Sequence, residues 1–145
     1  MAWWHVAACI FCDIRDGKVP AHVVGQDDDT IAFLDQRPLF PGHVLVIPRL
    51  HHETLMDLPP ELVAPLFVAV RRMSAAVKDA MHADGVFVAN NNIVSQSVPH
   101  LHVHVVPRKR KDGLRGFFWP RGKYGGKEAN DVADAIREAV HRLGA

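Results

Sequence analysis

The sequence predicts an α+β domain in which a meandering, mainly antiparallel sheet carries one long helix packed across it, followed by a C-terminal helix. Three observations predict it. Extended apolar segments come in pairs joined by short polar turns, which favours antiparallel neighbours over long crossovers. Leu66, Val70, Met73 and Val77 recur at the spacing of an amphipathic stripe on one long helix. His100-Leu101-His102-Val103-His104-Val105-Val106 alternates with the period of a β-strand, so three imidazoles share one face.

The elements follow in chain order. Cys9-Ile10-Phe11-Cys12 sets two thiols a turn apart, and Asp13 to Gly17 reads as a short helix closed by glycine. Extended segments from His22 to Gly25 and from Thr30 to Leu34 flank Gln26-Asp27-Asp28-Asp29, a charged hairpin turn rather than a carboxylate metal site. Pro38, Pro41 and Gly42 make a connecting loop. His43 to Pro48 is then a central strand, apolar almost throughout. Leu58-Pro59-Pro60-Glu61 starts the long helix, with proline in its first turn and Glu61 complementing the dipole. Gly85 to Ala89 is a strand that should pair antiparallel with the histidine strand across a short polar loop, and Ala129 to Leu143 is the terminal helix.

The histidine strand carries the chemistry. At roughly 3.3 Å per residue, consecutive imidazoles stand about 6 to 7 Å apart along one face, so they line a surface without all reaching one atom. Three titratable rings on one short strand are costly to bury without partners. Either two or three of them bind a catalytic zinc, or one is a nucleophile and its neighbours orient it and neutralise an anionic substrate. The flanks favour the second reading. Asn90-Asn91-Asn92 and Ser95-Gln96-Ser97 supply amides and hydroxyls suited to phosphate oxygens, and no Asp or Glu lies between Asp84 and Asp112 to serve a hydrolytic zinc.

The run from Ser95 to Arg108 resembles the His-φ-His-φ-His-φ-φ signature of the histidine triad (HIT) superfamily of nucleotidyl hydrolases and transferases. Cys9 to Cys12, Ala32-Phe33-Leu34-Asp35 and Pro41 to Pro48 stand in the same family order. The likeness covers about Cys9 to Arg108 and leaves 109–145 as an extension of a single domain spanning 1–145. The tail Val105-Val106-Pro107-Arg108 is more similar to the bacterial and fragile-histidine-triad-like hydrolase branches than to the phosphoramidase branch.

The resemblance implies a set of roles. His102 would attack the α-phosphorus of a purine nucleoside 5′-monophosphate joined to a leaving group, giving a covalent nucleotidyl-histidine. His104 would donate to the phosphate, joined by Gln96 and Ser97 near the leaving group. Asp35 would accept the ribose hydroxyls, Phe11, Phe33 and Leu34 would wall the base, and His43 would lie in the nucleoside pocket. The family's asparagine corresponds to Asn90 or Asn91, with Asn90 preferred. Cys9, Cys12, His51 and His100 would form a closed tetrahedron for one structural zinc per chain, His52 being the nearest competitor for the third position. A nucleotide-binding module without turnover is the alternative reading, and an amine, a sulfate or the rest of a dinucleoside polyphosphate all remain open as leaving group.

Composition bounds the rest. The chain has 145 residues, 48% hydrophobic and 23% charged, an ordinary size and make-up for one core. Its net charge of +1 argues against a general nucleic-acid binder. The opening Met1 to Ala8 lacks a basic leader and no run is long enough to cross a bilayer, so a cytoplasmic protein is expected. Thiols stay reduced there, which makes Cys9 and Cys12 a metal or redox pair before a disulfide. The family likeness further implies a homodimer. Gly113 to Tyr124, with Phe117, Phe118, Trp119, Tyr124, Arg115, Arg121 and Lys123, is expected to help complete a substrate site.

Overall fold

Short connections favour antiparallel neighbours, and the sheet is antiparallel throughout, while one long helical connection places its last two strands out of chain order. The structure, a computed structural model, describes residues 8–114 and 123–143. It divides into two compact units, Met1–Asp112 and Gly113–Ala145.

The first unit runs α1 (Ile10–Arg15), β1 (Val23–Gln26), β2 (Thr30–Leu34), β3 (Val44–Pro48), a 3-10 turn at Leu55–Asp57, α2 (Pro60–Ala80), β4 (Gly85–Ala89) and β5 (Val103–Arg108). The five strands form one sheet in the order β1-β2-β3-β5-β4, with every neighbouring pair antiparallel. The Asp27 carboxylate accepts the backbone N–H groups of Asp29 and Thr30 at 2.9 and 2.8 Å, which makes the acidic run between β1 and β2 a turn.

The sheet is buried on both faces, and β3 shows why its sequence is continuously apolar. Val44 and Val46 face one side with Leu101, Val103 and Val105, against Leu66, Ala69, Val70 and Val77 of α2. Leu45 and Ile47 face the other side with Phe11, Ile14, Ile31 and Phe33. Burying each such side chain stabilises the fold by roughly 1.5 to 3 kcal/mol before entropy is counted. α2 therefore holds the aliphatic face of the histidine strand, and α1 covers the opposite layer.

The histidine strand begins later than its alternation suggests. β5 starts at Val103, because its ladder with β3 ends at Val46↔Val103 and its ladder with β4 ends at Ala89↔His104. His100 to His102 run on without a strand on either side. The Leu101 N–H donates instead to the His52 carbonyl at 2.7 Å, and the His100 N–H to the Val98 carbonyl at 2.9 Å. Alternation survives the loss of the ladder: Leu101 packs in the α2 core while His100 and His102 are buried on the other side.

Gly42 precedes His43 with φ +94°, and a Cβ there would stand 2.6 Å from Met81 Cγ at the end of α2. Only glycine lets that loop approach the helix in this conformation.

In the second unit, α3 (Glu128–Leu143) begins one residue before the predicted helix. Glu128 accepts the Gly125 N–H at 3.1 Å, and Glu128 and Asp131 stand in the first turn, where they complement the helix dipole. Arg115, Phe117, Phe118, Trp119 and Arg121 lie outside the described residues, whereas Lys123 and Tyr124 are exposed. Among the described residues no helix is long and apolar enough to cross a membrane.

Candidate active site

The lack of a ladder around His100 to His102 exposes backbone groups that the site then uses. His102 Nδ1 lies 2.7 Å from the His100 carbonyl oxygen. A carbonyl only accepts, so Nδ1 carries the proton and Nε2 keeps a lone pair. From the other side, Asn90 Nδ2 donates to the His102 carbonyl at 2.8 Å. Asn92 Nδ2 donates to Asn90 Oδ1 at 2.6 Å, and Asn92 Oδ1 accepts the Leu55 N–H at 2.8 Å. Asn90 thus braces the backbone of His102 at the end of β4, and it does not line the cavity described below.

Beside His102 stands His104, ring centroids 5.0 Å apart. His104 Nδ1 lies 2.9 Å from His43 Nε2, and His43 Nδ1 accepts the Leu39 N–H at 3.1 Å. Asp35 Oδ2 is 3.7 Å from His43 Nε2, while Asp35 Oδ1 accepts the Arg37 N–H at 2.8 Å. Burial pushes the pKa of His102 and His43 below the ordinary imidazole value. Burial, with His102 and His43 close by, takes His104 down to about 4. Near neutral pH these rings are uncharged, which leaves His102 Nε2 free to act as a nucleophile.

His102 and His104 line a cavity of about 520 Å³ together with Phe11, Phe33, Leu34, Asp35 and Ser97, whereas His43 stands behind His104 and is not part of the lining. Its size suits a small ligand, and its make-up suits one that is apolar at one end and anionic at the other. Phe11 stands edge-on to Phe33 at 5.3 Å and to His102 at 5.1 Å, joining the apolar end to the imidazoles. The sequence did not single out Ile10, Ile14, Ala21, Leu45 or Val98, which also form the walls. Leu45 could have been found from β3, since it shares a face with Ile47 opposite the α2 side. Ile10 and Ile14 stand at i, i+4 on α1, which begins three residues before the helix expected from Asp13. A smaller cavity of about 250 Å³ between Phe40, Met81 and Pro107 has no imidazole in its lining.

Gln96 engages backbone groups through both atoms of its amide. Its Oε1 accepts the Ile93 N–H at 2.8 Å and its Nε2 donates to the Glu53 carbonyl at 2.6 Å, so its amide ties the loop before His100 to the segment after β3. Ser97 does line the cavity with His102 and His104.

The four sulfur and imidazole residues meet beneath this site. Ligand atoms of Cys9, Cys12, His51 and His100 all lie within 4.8 Å of one another. His100 Nε2 donates to the Pro48 carbonyl at 2.9 Å, which leaves the Nδ1 lone pair facing the thiols. His100 Nδ1 is 3.4 Å from Cys9 Sγ and 3.5 Å from Cys12 Sγ, and His51 Nδ1 is 3.3 Å from Cys12 Sγ. A tetrahedral zinc with sulfur at about 2.3 Å and nitrogen at about 2.0 Å has sulfur–nitrogen edges of about 3.5 Å, so the donor set fits such an ion. Burial, with Cys9 alongside, pushes the Cys12 thiol up to about 11, a penalty that a bound cation would reverse. His52 takes no part in the cluster; its carbonyl holds Leu101 and its Nε2 is buried without a partner.

The chain is similar over most of its length to several known proteins. An uncharacterized HIT-like protein of Saccharolobus solfataricus is 36% identical over 138 residues, 93% of this chain and 99% of that one. Adenylylsulfatase HINT3 of Arabidopsis thaliana is 38% identical over 108 residues, 73% of this chain and 55% of that one. Adenosine 5′-monophosphoramidase HNT1 of Candida albicans is 32% identical over 120 residues, 79% of each chain. Among solved structures, a HIT family member from Bacillus subtilis superposes with a TM-score of 0.83 at 34% identity, covering 91% of this chain and 96% of that one. A zinc-bound histidine triad family protein from Mycobacterium smegmatis gives 0.71 at 36% identity, covering 94% and 96%. The family model of the HIT domain matches residues 16–111, and on that match the chain belongs to the histidine triad superfamily.

Proposed function

We propose that the protein cleaves a purine nucleoside 5′-monophosphate from a leaving group through a covalent nucleotidyl-histidine. His102 Nε2 attacks the α-phosphorus; the bond to the leaving group breaks and its electron pair departs with that group. Water then attacks the phosphorus, returns the imidazole lone pair and releases the nucleoside monophosphate. The observation that carries this reading is the 2.7 Å bond from His102 Nδ1–H to the His100 carbonyl, inside a cavity shared with Asp35, His104 and Ser97. It leaves the distal nitrogen unprotonated where a phosphate would sit between apolar walls and imidazoles. Asp35 would take the ribose hydroxyls, Phe11, Phe33 and Leu34 the base, with His43 beside them and His104 and Ser97 at the phosphate. Asn90 would act from behind, through the backbone of His102.

The names of two relatives support the same division of the substrate. One is an adenylylsulfatase and the other an adenosine 5′-monophosphoramidase, so an adenylate half recurs while the leaving group changes. Cys9, Cys12, His51 and His100 would hold one zinc per chain, which would supply a structural cross-link and no open coordination position. A homodimer is part of the proposal, supported by Val63, Phe67 and Val68 standing exposed on α2 and Val88 on the outer strand β4. Two free cysteines fit a cytoplasmic setting.

The test is a panel of adenosine phosphoramidates, adenylyl sulfate and dinucleoside polyphosphates offered to wild type and to His102→Ala. Turnover of at least one by wild type, with a loss of several orders of magnitude and retained AMP binding in the variant, is the expected result. Binding without turnover anywhere on the panel would leave a nucleotide-binding module. Near-normal turnover by His102→Ala would reject the mechanism.

A further inference from the structure

His43 has a partner on each ring nitrogen, and the order of those partners determines where protons sit two rings away. A backbone amide can only donate, so the Leu39 N–H at 3.1 Å leaves His43 Nδ1 without a proton. The neutral ring must then carry its proton on Nε2, which lies 2.9 Å from His104 Nδ1. His104 Nδ1 is therefore an acceptor, and its own proton is on Nε2. Among the described residues no protein group accepts that Nε2–H, and His104 lines the cavity beside His102 and Ser97.

Asp35, His43 and His104 also place ligand atoms within 4.8 Å of one another, the only other grouping of this kind among the described residues. The distances separate the two groupings. The sulfur–nitrogen spacings of 3.3 to 3.5 Å in the cysteine cluster are those of a coordination sphere, whereas the 2.9 Å between His43 and His104 is that of a hydrogen bond. Asp35 Oδ2, at 3.7 Å from His43 Nε2, adds a negative charge that favours the proton on that nitrogen.

We infer that His43 is a positioning residue that holds His104 in its Nε2–H tautomer, so that His104 meets the substrate phosphate as a hydrogen-bond donor. The opposite tautomer would turn a lone pair toward the phosphate oxygens and repel them. No proton leaves either ring in this role; the donated bond shortens as negative charge grows on the phosphate in the transition state. The inference rests on the proposed reaction for its consequence and on the Leu39-His43-His104 chain for its substance.

Long-range proton–nitrogen NMR of histidine-labelled protein reads the tautomer directly, without turnover. Wild type should show His104 protonated at Nε2 and bare at Nδ1. His43→Asn keeps an oxygen for the Leu39 N–H but cannot reach His104, so it should show a mixture of His104 tautomers. Its kcat on a turned-over substrate should fall about 10- to 100-fold with a smaller change in KM, as for loss of an outer hydrogen-bond partner. His43→Gln, whose amide N–H can replace the lost donor, should recover most of that fall. Wild-type His104 protonated at Nδ1, or a tautomer unchanged in a folded His43→Asn, would overturn the inference. If no substrate turns over while the Nε2–H tautomer is found, the proposed reaction fails and the positioning role stands.

Discussion

The backbone carbonyl of His100 accepts the Nδ1–H of His102 at 2.7 Å, while the side chain of His100 turns the other way, its Nδ1 toward Cys9 and Cys12. One residue thus belongs to two sites. Its imidazole faces the sulfur cluster and its carbonyl orients the neighbouring imidazole, so the cluster and His102 are joined through one residue.

That relationship predicts what metal loss does. Protein purified without added metal should contain about one zinc per chain by elemental analysis, and Cys12→Ser should lose both zinc and thermal stability. Any loss of turnover in Cys12→Ser should track its loss of folded protein. Wild type free of zinc, or a Cys12→Ser variant that keeps it in full, would count against the site.

A second support comes from Asn90, whose amide holds the His102 carbonyl at 2.8 Å. Asn90→Ala should lower kcat by about 10- to 100-fold, as expected when a group behind the reacting residue is removed, with AMP affinity nearly unchanged. Stability should fall by about 1 kcal/mol, the usual worth of one such bond. Affinity that falls in step with kcat would instead place Asn90 in contact with the nucleotide. Steady-state kinetics and AMP titration calorimetry separate the two.

Acid should loosen the site in a defined window. Burial, with His102 and His43 nearby, lowers His104 from 6.5 to about 4, so the unfolded chain takes up its proton before the folded chain does. The stability linked to the neutral ring is fully present above 6.5 and is lost as pH falls toward 4. His43 and His102, also shifted down, act in the same sense. Denaturant midpoints of zinc-loaded protein should hold steady above that window and drop through it, with a shallower drop in His104→Gln. A midpoint that rises on acidification would contradict the assignment of neutral buried rings.

Much of this was legible in the residues because the relevant signals are local. Thr30 to Leu34 and Gly85 to Ala89 came out with the expected ends, and Leu66, Val70 and Val77 face the sheet as their spacing requires. The ligand set Cys9, Cys12, His51 and His100 also meets as expected, since family order fixes which distant residues a motif brings together. What periodicity could not show is where a ladder stops. The start of β5 at Val103 depends on where β3 and β4 end, a tertiary fact, and the carbonyl that orients His102 is free for the same reason. Hydrogen-bond assignments were likewise hidden. Asn90 and Gln96 carry amides suited to phosphate, yet backbone partners from Glu53, Ile93 and His102 already engage them. The bond between His43 and His104 joins residues 61 positions apart, beyond any local pattern.

The most direct measurement of the central claim is the intact mass of enzyme quenched during turnover of a substrate from the adenylate panel, followed by peptide mapping. A nucleotidyl-histidine intermediate predicts a transient species heavier by one nucleoside monophosphate less one water, acid-labile, and carried by His102. No adduct under conditions of single-turnover excess enzyme, or an adduct mapped to His43, His104 or Ser97 with His102 unmodified, would contradict it.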